Sequence, residues 1–341
     1  MIVKQLTAPD ARWDAFVEDH PDGTFFHLSG WKRAIETAMG HHCPYLYVEN
    51  DAGEIEGVLP LTHIRSRLFG EGLVSNGFCV YGGPLAKSTD AMERLDAAAQ
   101  DLLASSGADY LEYRGRKPLH PGWECKDALY VTFRKEMSAD HDANMKAIPR
   151  KQRAMVRKGI NAGLVGEEDG DPDRFFSMYA ESVRNLGTPV FPRAWFHALQ
   201  REFGDKCQVL SILHEGRPVA AVMSFFFRNE VLPYYGGGGF AARAVAGNDF
   251  MYWEVMRRAA DRGMTLFDFG RSKVGTGSYN FKKYWGFEPE PLHYEYSVKA
   301  GRAVPDINPL NPKYALMINT WRRLPLGVAN RLGPLIARNL G

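Results

Sequence analysis

One pattern of residues occurs twice in the chain, and this repeat limits the folds that are available to it. In the first half, YGG at 81–83 precedes DAMERLDAAAQDLLASSG and then DYLEYRG. In the second half, YYGGGG at 234–239 precedes NDFMYWEVMRRAADRG and then TLFDFG. Each middle segment is typical of a helix and each last segment of a strand. The repeat predicts an α/β (α+β) fold with two copies of one unit, in which antiparallel strands precede a crossover helix and a further strand.

The spacing within the two copies also agrees. Gly82 and Gly107 are 25 positions apart, and Gly236 and Gly263 are 27 positions apart. Chance similarity between two α/β halves is the alternative, because short patterns produce false repeats. A chain of 341 residues is also long for one core, which favours two domains. We predict an N-terminal domain, a basic connecting helix, a C-terminal domain and an amphipathic tail, over 1–137, 138–165, 166–300 and 301–341.

The individual elements follow from local composition and turn signals. MIVKQL, CPYLYVEN and EIEGVLPLTHIRS are predicted strands, and a helix capped by Ser29 is expected before CPYLYVEN. The strand LYVTFRKEM at 129–137 is expected to complete the first half. In the second half, three strands are predicted between residues 206 and 239, followed by a helix capped by Asn248 or Asp249.

The composition excludes several classes of protein. A net charge of +2 argues against a dedicated nucleic-acid binder, so no DNA partner is expected. The four cysteines form no CxxC pair and the histidines no HExxH pattern, so neither a disulfide framework nor a metal site is expected. The N-terminal segment has no apolar run of signal-peptide length, and no run reaches about 18 apolar residues. We therefore expect a cytoplasmic protein.

A strongly basic segment lies between the two halves. Six basic residues and no acidic residue occur between Lys146 and Lys158. In a helix starting near Pro149, the side chains of Arg150, Arg153 and Arg157 share one stripe. Because a solvated helix face normally mixes charges of both signs, this stripe is a candidate site for phosphate groups. A merely solvated helix face is the alternative.

The glycines of the second copy are a candidate site for a pyrophosphate. Tyr235, Gly236, Gly237 and Gly238 precede a predicted helix, and glycines in that place let main-chain N–H groups approach an anion. The motif is neither GxxxxGK[ST] nor GxGxxG after a first strand, so a nucleoside triphosphatase loop is excluded and a dinucleotide fold is not favoured. The alternative is a strand end that needs open backbone beside its neighbours.

The stretch FDFGRSKVGTGSYNFKKYWGF at 267–287 combines an acid, glycines, aromatic residues and lysines. Asp268 alternates with two phenylalanines at the end of a predicted strand, and Arg271 and Lys273 follow where open α/β sheets carry ligands. A short helix then brings Tyr279 and Lys282 toward the same place, where a lysine can stabilise an oxyanion or neutralise a phosphate. The alternative is that Lys282 is a surface residue and Tyr279 a core residue.

These motifs together resemble a known family. Strand, glycines, helix and FDFG, followed by SYNFKKYWGF, are similar to the FemAB/FemX peptidyltransferases, which have two tandem GNAT-like acyltransferase domains. The closest resemblance is to the FemAB-related group associated with the exosortase (PEP-CTERM) exopolysaccharide system. It rests on PRKQRAMVRKGINAGL at 149–164, DFGRSKVGTGSYNFKKYWGFEPEPLHYEY and the tail from NPLNPKY onward. The resemblance covers nearly the whole chain and is strongest after residue 145.

The resemblance implies transfer of an acyl or aminoacyl group to an amine without a covalent enzyme intermediate. It places the lysine where donor meets acceptor at Lys282, and it places contacts to the acceptor's phosphates among Arg150, Arg153 and Arg157. The resemblance implies acyl-CoA or aminoacyl-tRNA as the acyl donor. The usual GNAT pyrophosphate signature is absent, because RAVAGN has Ala246 where a glycine belongs, and the helical hairpin of some tRNA-using members is missing. The missing signature argues against acyl-CoA as the donor, and the missing hairpin leaves the use of aminoacyl-tRNA undecided.

Such a reaction requires that the amine lose a proton, that the reactants be held together and that the developing oxyanion be stabilised. Asp268 or Tyr279 is expected to accept or relay the proton. Lys282 and the main-chain amides of 236–238 are expected to serve the oxyanion. A cleft between the two halves is expected to hold the reactants.

The tail is a candidate membrane contact. Apolar residues recur at three- and four-residue spacing at Leu310, Tyr314, Met317, Ile318, Trp321 and Leu324, and five basic residues and no acid follow Asp306. This pattern fits a segment lying on an anionic membrane through 307–341, where a lipid-linked saccharide would be found. A helix that packs back on the core is the alternative.

The sequence therefore predicts a FemAB-type N-acyltransferase or aminoacyltransferase. Its acceptor would be an amine of a phosphorylated or lipid-linked saccharide or peptide precursor in exopolysaccharide or cell-envelope synthesis. The protein would be cytoplasmic. A peripheral position on the inner face of the membrane is the second form of this prediction. An acyl-CoA-dependent acetyltransferase acting on a nucleotide-linked amino sugar and a non-catalytic polysaccharide-associated scaffold are the alternatives.

Overall fold

A computed structural model describes residues 1–66, 70–304 and 312–341, with side chains of the last range described from residue 316 onward. The strands are β1 Ile2–Gln5, β2 Leu46–Glu49, β3 Ile55–Leu59, β4 Thr62–Ser66, β5 Gly70–Ser75, β6 Leu85–Ala86, β7 Tyr110–Gly115, β8 Glu124–Lys126, β9 Tyr130–Glu136, β10 Val165–Asp169, β11 Cys207–His214, β12 Arg217–Phe227, β13 Glu230–Gly238, β14 Leu266–Asp268, β15 Ser272–Lys273, β16 Pro289–Pro291 and β17 His293–Val298. The helices are α1 Ala11–Asp19, α2 Ser29–Ala38, α3 Thr89–Ser105, α4 His141–Ala147, α5 Arg150–Asn161, α6 Asp173–Leu186, α7 Arg193–Phe203, α8 Phe240–Ala244, α9 Gly247–Asp261, α10 Gly277–Tyr284, α11 Pro312–Arg323 and α12 Leu326–Ala337.

The chain divides into two compact units. Unit 1 comprises Met1–Leu129, Pro291–Ile307 and Arg338–Gly341, and unit 2 comprises Tyr130–Glu290 and Asn308–Ala337. Unit 1 contains a sheet in the order β1-β2-β3-β6 and a second in the order β4-β5-β7-β17-β8. Unit 2 contains one sheet in the order β10-β11-β12-β13-β14-β9-β15, with β16 beside β9. The predicted mixed, mostly antiparallel sheets flanked by helices are confirmed.

The repeat in the sequence corresponds to a repeat in the topology. In unit 1, β5 is antiparallel to β4 and parallel to β7, and α3 crosses between the parallel strands. In unit 2, β13 is antiparallel to β12 and parallel to β14, and α9 makes the crossover. A parallel pair needs such a crossover, since a tight turn can join only antiparallel strands. The same strand–helix–strand arrangement is therefore built twice.

The strand LYVTFRKEM, expected in the first half, belongs to the sheet of unit 2. It forms β9, which pairs antiparallel with β14 through Glu136, Lys135 and Arg134. Its counterpart in unit 1 is β17, which pairs antiparallel with β7 although it follows the whole of β14 in the chain. Each sheet is thus completed by a strand from the other part of the sequence. The alternation of β9 gives its buried face but not its partner, so the sequence did not reveal this exchange.

Three local expectations are corrected by the structure. EIEGVLPLTHIRS forms two strands, β3 and β4, in different sheets, because Pro60 between them cannot donate to a ladder. Ser29 is the first residue of α2 rather than its cap, and its hydroxyl donates to Asp14 Oδ2 at 2.9 Å. The helix α9 begins at Gly247 after Ala246, whose φ of +56° is left-handed, so neither Asn248 nor Asp249 caps it.

The cores of the units follow from helix spacing. In α3, Ala91, Leu95, Ala99 and Leu103 are buried at a four-residue spacing and pack with residues of the unit 1 sheets. In unit 2, α6 packs against β12 and β13, and α9 packs against the same strands and against α5. The predicted connecting helix is therefore two helices, α4 and α5, of which α5 is fixed to the body of unit 2.

The described part of the predicted tail forms α11 and α12, which pack against α6. Trp321, Ala329, Gly333 and Ala337 are buried. One face of the tail therefore packs on the core, as the alternative interpretation expected. Leu310 and the side chain of Tyr314, which were part of the amphipathic pattern, lie outside the described residues and side chains.

Candidate active site

The helix α10 carries Lys282 into the interior of unit 2. Thr276 precedes α10 and accepts a hydrogen bond from the Tyr279 main-chain N–H at 3.4 Å. Lys282 lies one turn after Tyr279 and is 8% exposed. Its Nζ donates to the carbonyl oxygens of Gly270 at 2.9 Å and Arg271 at 3.0 Å. The left-handed φ of Gly270, +68°, allows the chain to turn directly after β14 and present these carbonyls.

The surroundings of Lys282 favour its neutral form. Burial lowers its pKa to about 7, the charge of Asp268 opposes this shift and the charge of Arg271 adds to it. The Nζ atom also lies 5.6 Å from the ring centroid of Phe133 and 6.0 Å from that of Phe269. A lysine with a pKa about 7 exchanges a proton near neutral pH, which an ordinary surface lysine does not.

Asp268, at the end of β14, is buried beside this lysine. Its Oδ1 accepts hydrogen bonds from Thr132 Oγ1 at 3.1 Å and from the Gly270 N–H at 2.7 Å. Its Oδ2 lies 3.3 Å from Arg134 Nε. These contacts hold the carboxylate in one position. Asp268 therefore keeps a fixed orientation near Lys282.

Tyr279 lies on the same side of α10 as Lys282. Its ring is half-buried and meets the ring of Phe133 edge-on, with 5.5 Å between the centroids. Phe133 thus contacts Tyr279 on one turn of α10 and Lys282 on the next. The structure brings the three residues predicted as catalytic together within unit 2, and their roles in catalysis stay predictions.

The glycines of the YYGGGG motif lie in β13, where the strands β13 and β14 separate. β14 pairs with β13 only at Glu230 and Val231, whereas β12 pairs with β13 as far as Gly238. Within the described ranges, no strand pairs with the β14-side edge of residues 236–238. This edge is where the pyrophosphate interpretation would place a ligand.

The same glycines also allow helices to approach the sheet. A Cβ on Gly237 would overlap Ser182 Oγ of α6, and a Cβ on Gly238 would lie 2.6 Å from the Cβ of Ala242. The alternative interpretation, that the strand end needs open backbone beside its neighbours, thus also has a structural basis. The two interpretations are compatible because they concern different sides of the strand.

Three other predicted binding residues differ in their exposure. The Tyr235 hydroxyl accepts from Trp195 Nε1 at 3.1 Å, and its buried ring packs among aromatic residues of unit 2. Lys273 is 9% exposed, with Nζ 5.8 Å from the Tyr130 ring centroid. Arg271 is exposed and lies over the same ring at 4.7 Å. Of the three, only Arg271 presents an exposed side chain.

The basic stripe of α5 lies on the surface of unit 2. Arg150 and Arg157 are exposed, and together with Arg153 and Lys158 they line this surface. The guanidinium of Arg153 donates to the carbonyl oxygens of Ile148 and Lys146, so this residue also fixes the junction of α4 and α5. The surface suits a phosphate-bearing molecule, because several guanidinium groups can donate to one anion.

The inner face of α5 contains a polar network that the sequence analysis missed. Asp249 Oδ1 accepts two hydrogen bonds. One comes from the side-chain N–H of Gln152, and the other comes from Trp285 Nε1–H at 3.3 Å. Burial raises the pKa of the Asp249 carboxyl, and the two hydrogen bonds oppose that shift. The network joins the basic helix α5, the crossover helix α9 and the end of α10. The spacing of Gln152, Val156 and Gly159 on one helical face was the signal that could have revealed it.

The sequence of residues 144–283 matches a family of known proteins described as the acetyltransferase (GNAT) domain. The matched segment contains α5, the glycines of β13 and Lys282. No curated protein has a sequence that matches the chain. The match shows a GNAT-type domain over these residues and supports the acyltransferase that the sequence analysis predicted.

Solved structures show the same fold at low sequence identity. The crystal structure of FemX has a TM-score of 0.65 and 14% identity, covering 85% of this chain and 96% of that chain. A tandem GNAT protein from the clavulanic acid biosynthesis pathway has a TM-score of 0.55 and 14% identity, covering 89% and 99%. A conserved protein of unknown function from Bacteroides thetaiotaomicron VPI-5482 has a TM-score of 0.58 and 10% identity, covering 87% and 100%. The tandem GNAT-like fold is thereby confirmed.

Proposed function

We propose that this acyltransferase transfers an acyl or aminoacyl group to an amine of a phosphorylated or lipid-linked saccharide or peptide precursor in exopolysaccharide or cell-envelope synthesis. The observation that carries the proposal is the buried Lys282, whose pKa is lowered to about 7 beside Asp268. The basic surface of α5 supports a phosphate-bearing acceptor. A cytoplasmic site of action is part of the same proposal, since nucleotide-linked and tRNA-linked substrates occur there.

The hydrogen bonds of Lys282 define how it would act. A lysine ammonium has three N–H donors, and two donors at Nζ already serve the Gly270 and Arg271 carbonyls. The remaining direction carries an N–H in the protonated form and a lone pair in the neutral form. In the neutral form Lys282 accepts the proton that the attacking amine loses. In the protonated form it stabilises negative charge that develops at the reacting centre.

Asp268 and Tyr279 have supporting roles in this proposal. The fixed charge of Asp268 raises the pKa of Lys282, against the effect of burial, and so keeps both forms of the lysine populated near neutral pH. Tyr279 covers Phe133 beside the lysine and limits the access of water. This assignment gives the proton transfer to Lys282 rather than to Asp268, whose Oδ1 already accepts two hydrogen bonds and whose Oδ2 forms an ion pair with Arg134.

An acyl donor with a pyrophosphate fits two features of unit 2. The edge of residues 236–238 that no described strand pairs lies close to the start of α9, and the exposed Arg243 precedes this helix. GNAT domains use acyl-CoA, which favours this donor, while aminoacyl-tRNA stays the alternative. When bound, the donor supplies an activated acyl carbonyl.

The proposal is tested with the purified full-length chain. Acetyl-CoA and aminoacyl-tRNA are each offered with nucleotide-linked amino sugars and with muropeptide precursors, and mass spectrometry detects an added acyl group. Mass spectra of envelope glycans from cells with and without the protein identify the acceptor class. A chain that binds neither donor in calorimetry and acylates none of these acceptors contradicts the proposal.

The role of Lys282 has a matched control on the same helix. Lys282→Met is expected to lower kcat about 100-fold with a smaller change in KM, because proton transfer and charge stabilisation act in the transition state. Lys283→Met removes an exposed lysine from the next position and is expected to stay within about twofold of the original rate. Equal turnover of both variants would remove Lys282 from the mechanism.

A further inference from the structure

In the helix α12, small apolar residues face the core and large apolar residues face outward. An ordinary surface helix has the reverse arrangement. Its buried residues are small, namely Ala329, Gly333 and Ala337, spaced four residues apart. Its exposed apolar residues are large, and their exposed fractions are 43% for Val328, 42% for Leu332 and 60% for Leu335. A surface helix of a globular protein normally turns its large apolar side chains toward the core and polar ones toward water.

The exposed residues form one stripe. At 100° per residue, positions 328, 332 and 335 fall within about 60° of one another, and the buried stripe lies on roughly the opposite side. A substituted Cβ at Gly333 would lie 2.9 Å from the Val190 main-chain nitrogen, so small residues are required on the inner side. Packing on unit 2 thus explains the inner stripe of α12 and leaves the outer stripe without a structural reason.

The preceding helix adds to the same kind of surface. In α11, Leu316 is 78% exposed and Met317 is 53% exposed, while Trp321 is buried. Arg322 and Arg323 at the end of α11 and Arg331 in α12 are exposed. From 307 to 341 the sequence contains five basic residues and no acidic residue. Large exposed apolar side chains therefore occur together with a purely positive charge.

We propose that the outer face of α11 and α12, defined by Leu316, Met317, Val328, Leu332 and Leu335 with Arg323 and Arg331 beside them, docks on the surface of an anionic lipid bilayer. The apolar side chains would enter the boundary between headgroups and acyl chains, and the arginines would pair with anionic headgroups. Charge complementarity selects this occupant, because a face with no acid is suited to a surface of uniform negative charge. Among the described residues, no helix is long and apolar enough to cross a membrane.

This inference does not depend on the identity of the acyl acceptor. It is tested by sedimentation of the full-length protein with vesicles of phosphatidylcholine alone and with vesicles containing about one-third phosphatidylglycerol. We expect binding to the anionic vesicles at least about tenfold stronger than to the neutral ones, because each arginine near a charged surface contributes to attraction. Raising the salt concentration is expected to weaken binding, because the Debye length shortens.

Two variants test whether vesicle binding depends on the outer face or on any exposed apolar residue. The double variant Leu332→Glu with Leu335→Glu is expected to lower the partition into anionic vesicles at least about tenfold, since it removes two apolar anchors and adds two negative charges. Val165→Glu introduces the same kind of substitution at a residue of β10 that is 55% exposed and is expected to change binding less than about twofold. If the double variant does not fold, Leu332→Ser with Leu335→Ser serves instead.

Three results would overturn the proposal. The first is equal binding to neutral and anionic vesicles, or no binding to either. The second is unchanged vesicle binding of a folded double variant. The third is a self-associating protein in sedimentation velocity whose dimer the double variant dissociates, because a second copy would then cover the face. Transfer activity on a water-soluble acceptor is measured in parallel, so that failure of the membrane proposal and failure of the proposed function are distinguished.

Discussion

Each of the two units buries a cation, and the surroundings raise its pKa in unit 1 but lower it in unit 2. In unit 1, Arg114 of β7 donates to Glu112 at 2.7 Å and to the carbonyl oxygens of Asn76, Cys79 and Gly341. Burial lowers the pKa of its guanidinium, but the charge and hydrogen bond of Glu112, with the charges of Tyr294 and Cys79, outweigh burial and raise it. In unit 2, Lys282 donates to two carbonyls within the part of the chain that the structure describes, and burial lowers its pKa to about 7.

The difference shows that the neighbouring groups and the residue type, as well as burial, decide whether a buried cation keeps its charge near neutral pH. A carboxylate in direct contact with Arg114 neutralises its charge, and a guanidinium does not lose its proton in proteins. Carbonyl dipoles orient Lys282 without neutralising it, and Asp268 is shared with Thr132, Arg134 and a main-chain N–H. Unit 1 thus contains a fixed charge, whereas unit 2 contains a charge that can be removed near neutral pH.

The largest expected effect comes from breaking the pair in unit 1. Glu112→Ala leaves the Arg114 guanidinium buried without its carboxylate and is expected to lower the free energy of unfolding by about 3–5 kcal/mol. Urea denaturation measures the change. Glu124→Ala, at an exposed position of β8 in the same unit, is the control and is expected to change stability by less than about 0.5 kcal/mol. A loss below about 1 kcal/mol for Glu112→Ala would contradict the comparison.

The corresponding change in unit 2 is expected to have the opposite sign. Lys282→Met removes a charge that burial disfavours and is expected to raise the free energy of unfolding by about 1–3 kcal/mol at pH 6. Below pH 7 both folded and unfolded chains carry the proton, so the cost of burial is fully present there. Between the folded pKa of about 7 and the ordinary 10.5, the unfolded chain binds more protons, so the stability of the original protein rises with pH.

Denaturation of the two chains at pH 6 and at pH 9.5 checks this prediction. The difference in free energy of unfolding between Lys282→Met and the original protein should be largest at pH 6 and should shrink at pH 9.5. Lys283→Met is the control, because this neighbouring lysine is exposed, and its difference from the original protein should not vary with pH. A stability difference that is the same at both pH values would show that Lys282 keeps an ordinary pKa.

The smallest expected effect concerns the charge that opposes the burial of Lys282. Asp268→Asn removes a negative charge that raises the pKa of Lys282, so this pKa is expected to fall further below its present value. The acidic limb of the pH–rate profile is expected to move by about 1 unit toward lower pH. Asp205→Asn, at an exposed position, should leave the profile unmoved. A shift toward higher pH would contradict the proposed role of Asp268.

Local sequence signals predicted the repeat and the position of Lys282. The glycine–helix–strand pattern occurs within about 35 residues in each copy, so helix and strand periodicity together with turn residues were sufficient. The alternation around Asp268 and the helical spacing of Tyr279 and Lys282 also placed these residues near one another correctly. What the spacing could not give was burial: the sequence left open whether Lys282 is a surface residue, and the structure encloses it.

Contacts between distant parts of the chain were not predictable from such signals. The strand β9 pairs with residues about 130 positions away, and β17 returns to β7, since hydrophobic alternation does not identify a partner. Asp249 is another example, because a carboxylate in the first turn of a helix predicts a cap. In the structure its Oδ1 accepts from Gln152 and Trp285 instead.

The sequence by itself determined the helix and the following strand of each repeated unit, the duplication of the α/β unit and the residue types around Lys282. These properties depend on backbone preferences and apolar periodicity, which act over a few residues. The tertiary structure alone decided which strand completes each sheet, which cation is neutralised and which is left with a pKa near 7, and which face of the tail stays exposed. These outcomes depend on dehydration and on charges brought together from remote positions, and neither is encoded in local spacing.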